Sequence, residues 1–374
     1  MASNGAPQNR IYLDHNATTP VDPRVAEAAC AVLKAVPGNP SSSHWAGAEA
    51  RAVLDQARAQ VAARLGAPAT GVVFTSGATE SNHLAILGAA RAAGRKGHLV
   101  SQATEHPSVL APLRALEAEG WSLTLLRVDG EGLVDPADLR TAIRPGTVLV
   151  SVMLANNETG ALQDIPALAT ACKERGVLFH CDASQALGKE AWDVRALGVD
   201  LLSVAGHKAY APKGVGALVV REGVTLAALQ KGGGQEHGLR AGTESPFLAA
   251  ALGRACEIIE PGDPGRLRDL RDRLHQGLTA VFGRRLRLNG PAQRRLSNTL
   301  NVGIQGLDTA LLASRLPDLA ISGGSACHGA AASSVLLAMG LSGEEAGHAL
   351  RFSVGRFTTA EEIDQVVAWF RRGL

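Results

Sequence analysis

The chain has 374 residues, 46% of them hydrophobic and 19% charged, which is too long for one ordinary core and about right for two domains. Its 37 Lys and Arg stand against 35 Asp and Glu, a net charge of +2, and no block of five like charges occurs; this gives no electrostatic footprint for nucleic acid or an anionic membrane. The longest apolar runs, 147–155 and 214–220, fall well short of a bilayer span, and the opening MASNGAPQNR lacks the apolar centre of a secretory signal, so a soluble, cytoplasmic chain with a frayed start is expected.

Along the chain, β-branched runs alternate with helical patterns. Strands are expected at 72–74, 98–101, 122–128, 147–154, 177–180, 201–204 and 215–220. Between them, Asp135-Pro136 offers an N-cap and a proline at the first helical position, and Asp164 precedes Ile165-Pro166 in the same manner. Such alternation predicts an α/β fold with a large, mainly parallel sheet covered by helices on both faces. The segment Glu260-Pro261-Gly262-Asp263-Pro264-Gly265 breaks the pattern. Beyond it come an Arg- and Leu-rich helix, strand candidates at 284–288 and 296–304, and three further helical stretches. The last, 360–370, places Ile363, Val366, Val367 and Phe370 at helical spacing, and the whole reads as a smaller C-terminal α+β domain.

In open parallel sheets ligands bind beyond the carboxyl ends of the strands. Five expected strand ends each deliver polar groups there: Ser76-Gly77-Ala78-Thr79, Thr104-Glu105-His106, Asn156-Asn157-Glu158, Asp182-Ala183-Ser184-Gln185 and Gly206-His207-Lys208. The hydroxyl-rich turn at 76–79, opening a helix, is a ready phosphate site because free N–H groups and the helix dipole meet the anion. Asp182 suits a protonated pyridine nitrogen, His106 a ring-stacking partner and Lys208 an imine, a set that describes pyridoxal phosphate. Taken singly, Lys208 reads as a surface charge, Asp182 as a helix cap, His106 as a loop residue and His44 and His83 as ordinary histidines. Convergence on one edge favours the cofactor.

No phosphate-loop, zinc-protease or nucleophile-elbow motif occurs, and Lys213-Gly214-Val215-Gly216 leads into a strand, not out of one. His180-Cys181-Asp182 has metal-capable atoms, but alternate residues of a strand face opposite sides, so no metal is expected. The five cysteines, Cys30, Cys172, Cys181, Cys256 and Cys327, form no C-x-x-C pair and predict neither a disulfide framework nor a zinc site. Cys181 is expected to pack, unreactive, beneath the cofactor.

At these residues the sequence resembles the cysteine desulfurases and related selenocysteine lyases, in the class V branch of the fold-type I pyridoxal-phosphate enzymes. The likeness runs from Ile11-Tyr12-Leu13-Asp14-His15-Asn16-Ala17-Thr18-Thr19-Pro20 to the final helix. It is carried by Gly38-Asn39-Pro40-Ser41-Ser42, Thr104-Glu105-His106, Gly206-His207-Lys208, Arg240-Ala241-Gly242-Thr243 and Arg351-Phe352-Ser353-Val354-Gly355-Arg356, among others. It implies a fold-type I enzyme with a large cofactor domain, residues 16–258, and a small domain of residues 1–15 and 259–374 that carries the Cys327 loop and Arg351.

The resemblance further implies that Lys208 forms the imine with pyridoxal phosphate, His106 is the stacking acid/base, Asp182 pairs with the pyridinium and Gln185 contacts the phenolic oxygen. Asn157 would lie near ring and substrate, and Ala78, Thr79 and His207 would bind the phosphate. Thr243 would reach the phosphate of a neighbouring subunit in a homodimer, and Arg351 would pair with the substrate carboxylate. The implied reaction takes L-cysteine to L-alanine, with Cys327 carrying the sulfur as a persulfide for an acceptor protein. A free thiol is only a few per cent thiolate at pH 7, so His328 beside it is a candidate activator. The alternative is a selenocysteine lyase, suggested by Cys327-His328 and the Val335-Leu336-Leu337 run in a segment that lacks the usual Glu-Pro; a catalytically idle scaffold would have lost Lys208, Asp182 or Cys327, and all three are present.

One departure is testable at once. Where these enzymes commonly place a phosphate-binding serine three residues before the lysine, this chain has Ala205. Ala205→Ser is expected to tighten retention of pyridoxal phosphate in a reconstitution titration; unchanged affinity would refute the missing contact.

Overall fold

The computed structural model describes residues 10–307, 309–323 and 332–373. Its strands, in chain order, are β1 (Ile11–Tyr12), β2 (Val72–Thr75), β3 (His98–Gln102), β4 (Ser122–Leu126), β5 (Thr147–Ser151), β6 (Leu178–Asp182), β7 (Leu201–Ala205), β8 (Gly216–Val220), β9 (Leu286–Leu288), β10 (Thr299–Ile304), β11 (Leu319–Ala320), β12 (Ser322–Gly323) and β13 (Ala349–Ser353). Seven of them form one sheet in the order β2-β8-β7-β6-β5-β3-β4. The pairs from β4 to β7 are parallel, whereas β8 runs antiparallel to both β7 and β2. Because β2 and β7 both oppose β8, β2 points the same way as the parallel strands. All five strand ends read from the sequence therefore open at one edge.

The expected runs at 122–128 and 147–154 are shorter as strands. Past Ser151 the chain stays tied to β6, with Val152 N–H donating to the His180 carbonyl at 3.0 Å and Leu154 N–H to the Asp182 carbonyl at 2.9 Å. That tether carries Met153 and Asn157 over the sheet edge. The smaller sheet, β12-β13-β10-β9, is antiparallel. Only β9 and β10 were expected from the sequence, each trimmed at its start, since Arg284 and Arg285 lie in a tight turn. β13 went unread because an arginine interrupts its apolar residues, and β11 and β12 are only two residues long.

Helices cover the large sheet on both faces, with separate apolar clusters, one containing Val100, Val150, Phe179 and Leu202 and the other Leu99, Leu149, Leu201 and Leu218. Alternate residues of each strand thus enter opposite cores, as period-two geometry requires. A third cluster joins Ile11 and Leu13 to Leu274, Leu300, Phe352 and Phe370 around the small sheet. No helix among the described residues is long and apolar enough to cross a membrane.

Two contacts fix the sheet edge. A Cβ at Gly216, the first residue of β8, would lie 2.7 Å from Gly77 Cα and 2.7 Å from the Val204 carbonyl oxygen. Only glycine lets the 76–79 turn close onto β8. Tyr210, two residues beyond Lys208, adopts a left-handed φ of 65°, an uncommon conformation for an aromatic residue. It is held by its N–H on Thr19 Oγ1 at 2.8 Å, by the Arg356 N–H on its hydroxyl, and by the Arg356 guanidinium 4.5 Å from its ring centroid. Gly216→Ala is expected to cost about 1–3 kcal/mol by overpacking, read as a lowered urea midpoint; an unchanged midpoint would show that the turn can yield.

Candidate active site

Burying a carboxylate at a sheet edge demands partners, and Asp182, at the end of β6, has them. It accepts the Ser184 N–H at 2.9 Å on one oxygen and Asn82 Nδ2–H at 2.8 Å on the other. Burial is the largest influence on this carboxyl and raises its pKa, but Ser184, the nearby Lys208 charge and Asn82 together leave it below the usual carboxylate range. Asn82 reaches it from the helix Ala78–Ala92, and its amide also donates to Ser108 Oγ at 2.9 Å.

Ser108 in turn sets His106. The His106 ring caps the helix Pro107–Ala118, with Nδ1 3.1 Å from the Ser108 nitrogen and 2.8 Å from Ser108 Oγ. A backbone N–H can only donate, so Nδ1 is an acceptor and the neutral ring carries its proton on Nε2. His106, read singly as a loop residue, is thus the cap of a helix and lines the cavity as well. Behind it Glu105 is wholly buried, one oxygen accepting the Met153 N–H at 2.6 Å; burial, and then the charge of Asp182, push this carboxyl well above its ordinary range.

Asp182, Ser184, His106, Ser108 and Met153 line a cavity of about 400 Å³ together with Ser76, Ala78, Thr79, Asn157, Gln185, His207, Lys208 and Arg351, while Asn82 and Glu105 support it from outside that lining. Of the expected cofactor and substrate residues, Thr243 alone lies elsewhere among those described, in an open hollow with Gly232, Gly233 and Gln235. Cys327 and His328 lie outside the described residues. Cys172, Cys181 and Cys256 are buried, and burial pushes Cys172 and Cys256 up to about 12 and Cys181 well above its ordinary value; Cys30 is exposed. No cluster of His, Cys, Asp or Glu among the described residues has the makings of a metal site.

At the mouth of the cavity Arg351 of β13 is almost fully buried. Its Nη1 donates to the Asn157 carbonyl at 3.0 Å, and its Nη2 to Asp14 at 2.8 Å and Ser322 Oγ at 2.7 Å, while Nε has no partner among the described residues. Ser322, Asn82 and Ser108 were not singled out from the sequence, and Asp14 and Glu105 were named there only within quoted segments, with no role of their own. For Asn82 a signal existed, since it stands four residues after Ala78 on one helix face.

The residues present fit pyridoxal phosphate. The helix Ala78–Ala92 begins without a side-chain cap, leaving its first N–H groups to an anion, while a buried acid, an imidazole and a lysine share the cavity. Comparison with known proteins agrees. The family model for class-V aminotransferases matches residues 11–366. The chain is 45% identical over 368 residues to cysteine desulfurase IscS of Shewanella baltica, covering 96% of this chain and 91% of the relative. Among solved structures, a NifS-like protein superposes with a TM-score of 0.91 at 33% identity, covering 97% of this chain and 98% of its own. The structure described as SspA in complex with cysteine gives 0.84 at 35%, covering 93% and 99%. None of these names speaks for selenocysteine.

Three of the histidines with lowered pKa values are His207, half-buried in the cavity lining, and His15 and His180, buried outside it. Burial, then Lys189, pushes His15 down to about 4; burial, then Lys208, Lys213 and Lys189, does the same to His207; and His180, buried between Ser151 and Ser203, is lowered as well. Each ring refuses a proton that the unfolded chain accepts near 6.5, so its contribution to stability is whole above that pH and is lost as pH falls toward about 4. Ring NMR of the labelled apoprotein is expected to show His15 and His207 still neutral at pH 5.5; a midpoint above 6 for either would overturn this.

Proposed function

The chain belongs to the class-V aminotransferase family, and on that premise we propose that it is a pyridoxal-phosphate-dependent cysteine desulfurase that removes the sulfur of L-cysteine, leaves L-alanine and loads Cys327 with a persulfide. The observation that carries this reading is the meeting of Lys208, Asp182, His106 and Arg351 in one cavity from four separate segments. The cofactor, when bound, supplies an electron sink for charge developing at the substrate α-carbon.

The roles of the chain's own groups follow from their surroundings. Asp182, held ionised, would keep the ring nitrogen protonated. His106 would lie against the ring with its Nε2–H as a donor. Ala78, Thr79 and His207 would hold the phosphate, the neutral His207 imidazole serving as a hydrogen-bonding group and not as a counter-charge. Lys208 Nζ would tether the cofactor and take the α-proton. Arg351 and Asn157 would seat the substrate, the carboxylate displacing or joining Asp14 on the guanidinium.

Cys327, in the Gly323–Cys327 segment, would take the sulfur, with His328 as activator. Thr243, remote from its own chain's cavity, would serve the cofactor phosphate of a second copy, which supports a homodimer. The sulfur then passes to an acceptor protein.

Lys208→Ala is expected to abolish the visible absorption band formed on adding pyridoxal phosphate. Cys327→Ala is expected to keep that band and lose sulfide release from L-cysteine by on the order of 10²-fold or more. A band that survives without Lys208 defeats the cofactor assignment, and wild-type sulfide release without Cys327 defeats the persulfide role.

A further inference from the structure

Lys189 is only 3% exposed, yet both of its hydrogen-bond partners are neutral amide oxygens, Asn16 Oδ1 at 3.0 Å and Gln185 Oε1 at 2.9 Å. A lysine buried among neutral groups is costly and calls for a reason. Burial, followed by the charges of Lys208 and Arg351, holds its ammonium well below the ordinary lysine range. Even as the neutral amine it keeps two N–H bonds, enough for both contacts.

Donor and acceptor counts fix what those contacts do. The side-chain amide of Gln185 faces Lys189 on one side and the Asn16 main-chain carbonyl, 3.0 Å away, on the other. A main-chain carbonyl can only accept, so the amide has its nitrogen on Asn16, and its oxygen accepts from Lys189. One Nε2 hydrogen is left for the cavity that Gln185 lines. Asn16 is locked in the same way. Its Oδ1 accepts from Lys189 and from Asn298 Nδ2 at 3.0 Å, and its Nδ2 donates to Thr299 Oγ1 at 2.8 Å and to the Asn157 carbonyl at 3.2 Å. That Asn157 carbonyl is the one on which Arg351 rests.

We propose that Lys189 is a positioning residue whose two donors turn the Gln185 amide nitrogen toward the cofactor and hold Asn16 against the carbonyl that carries Arg351, so that one buried amine sets the cofactor side and the substrate side of the cavity together. This rests on the pyridoxal-phosphate reading above.

The test titrates full-length apoprotein with pyridoxal phosphate and reads the dissociation constant and the position of the long-wavelength absorption band. Lys189→Met removes the donors and nearly conserves volume. It is expected to fold, with a melting temperature at or above that of the wild type, and to weaken the cofactor by up to about tenfold with a displaced band, the loss of one hydrogen bond. Gln185→Ala is expected to do the same, and the double variant to bind no more weakly than either single one. Wild-type affinity and band in Lys189→Met, or losses that multiply in the double variant, would overturn the proposal while leaving the cofactor reading intact. If Gln185→Ala alone changes neither quantity, the assignment of Gln185 to the cofactor fails and the proposal with it. Lys189→Leu, equally without donors, is read against the same outcomes where the methionine variant does not fold.

Discussion

A carboxylate that is buried and still ionised constrains everything packed around it. Asp182 sits where β6 ends, and its two oxygens require donors from within a few ångströms. One donor is the chain's own turn, through Ser184. The other, Asn82, comes from a helix 100 residues earlier and, by sharing its amide with Ser108, fixes the position and tautomer of the His106 ring. The turn at the start of that same helix, residues 76–79, is thereby placed as well. One desolvation penalty, met by hydrogen bonds, aligns the acid, the imidazole and the helix end without any of them touching a ligand.

The second constraint is the junction between the two sheets. Asn16 follows the short N-terminal strand; its N–H donates to Ser353 Oγ at 2.9 Å, while its side chain reaches Asn298 and Thr299 of the smaller sheet's side and Lys189 of the larger. Arg356 works in parallel, paired to Asp22 at 2.9 Å and Asp263 at 3.3 Å while lying over Tyr210. The strained Tyr210 backbone is thus braced from the opposite sheet, and Lys208, two residues before it, inherits that brace. Strain of this kind persists only where surrounding contacts overdetermine the conformation.

The large sheet was legible in the sequence because buried parallel strands are apolar on both faces and end at polar turns, and those ends named Lys208, Asp182, His106 and Asn157. The small sheet was less so, since two-residue strands carry no period and Arg351 interrupts an otherwise apolar strand. Residues that hold others in place escaped notice for a different reason. Ser108 and Lys189 have ordinary local surroundings in the sequence, and Asn82, Glu105 and Asn16, though on a marked helix face or in quoted segments, owe their meaning likewise to distant partners, as far as 337 positions away for Asn16 and Ser353. A residue that touches a ligand often sits in a recognisable turn; one that orients such a residue shows itself only when the chain is folded.

The Arg351–Asp14 pair changes how the mouth of the cavity handles anions. A guanidinium with an empty fork would grip any incoming carboxylate and would grip an outgoing one equally. Here an internal carboxylate already occupies Nη2 beside the Ser322 hydroxyl, so on the reading proposed above a substrate carboxylate that displaced Asp14 would arrive by an exchange of partners at nearly constant charge and would depart by the reverse exchange. On that reading the same competitor that would weaken capture would lower the barrier to release, which would suit a seat that lets go of an amino acid differing from its substrate by a single sulfur atom.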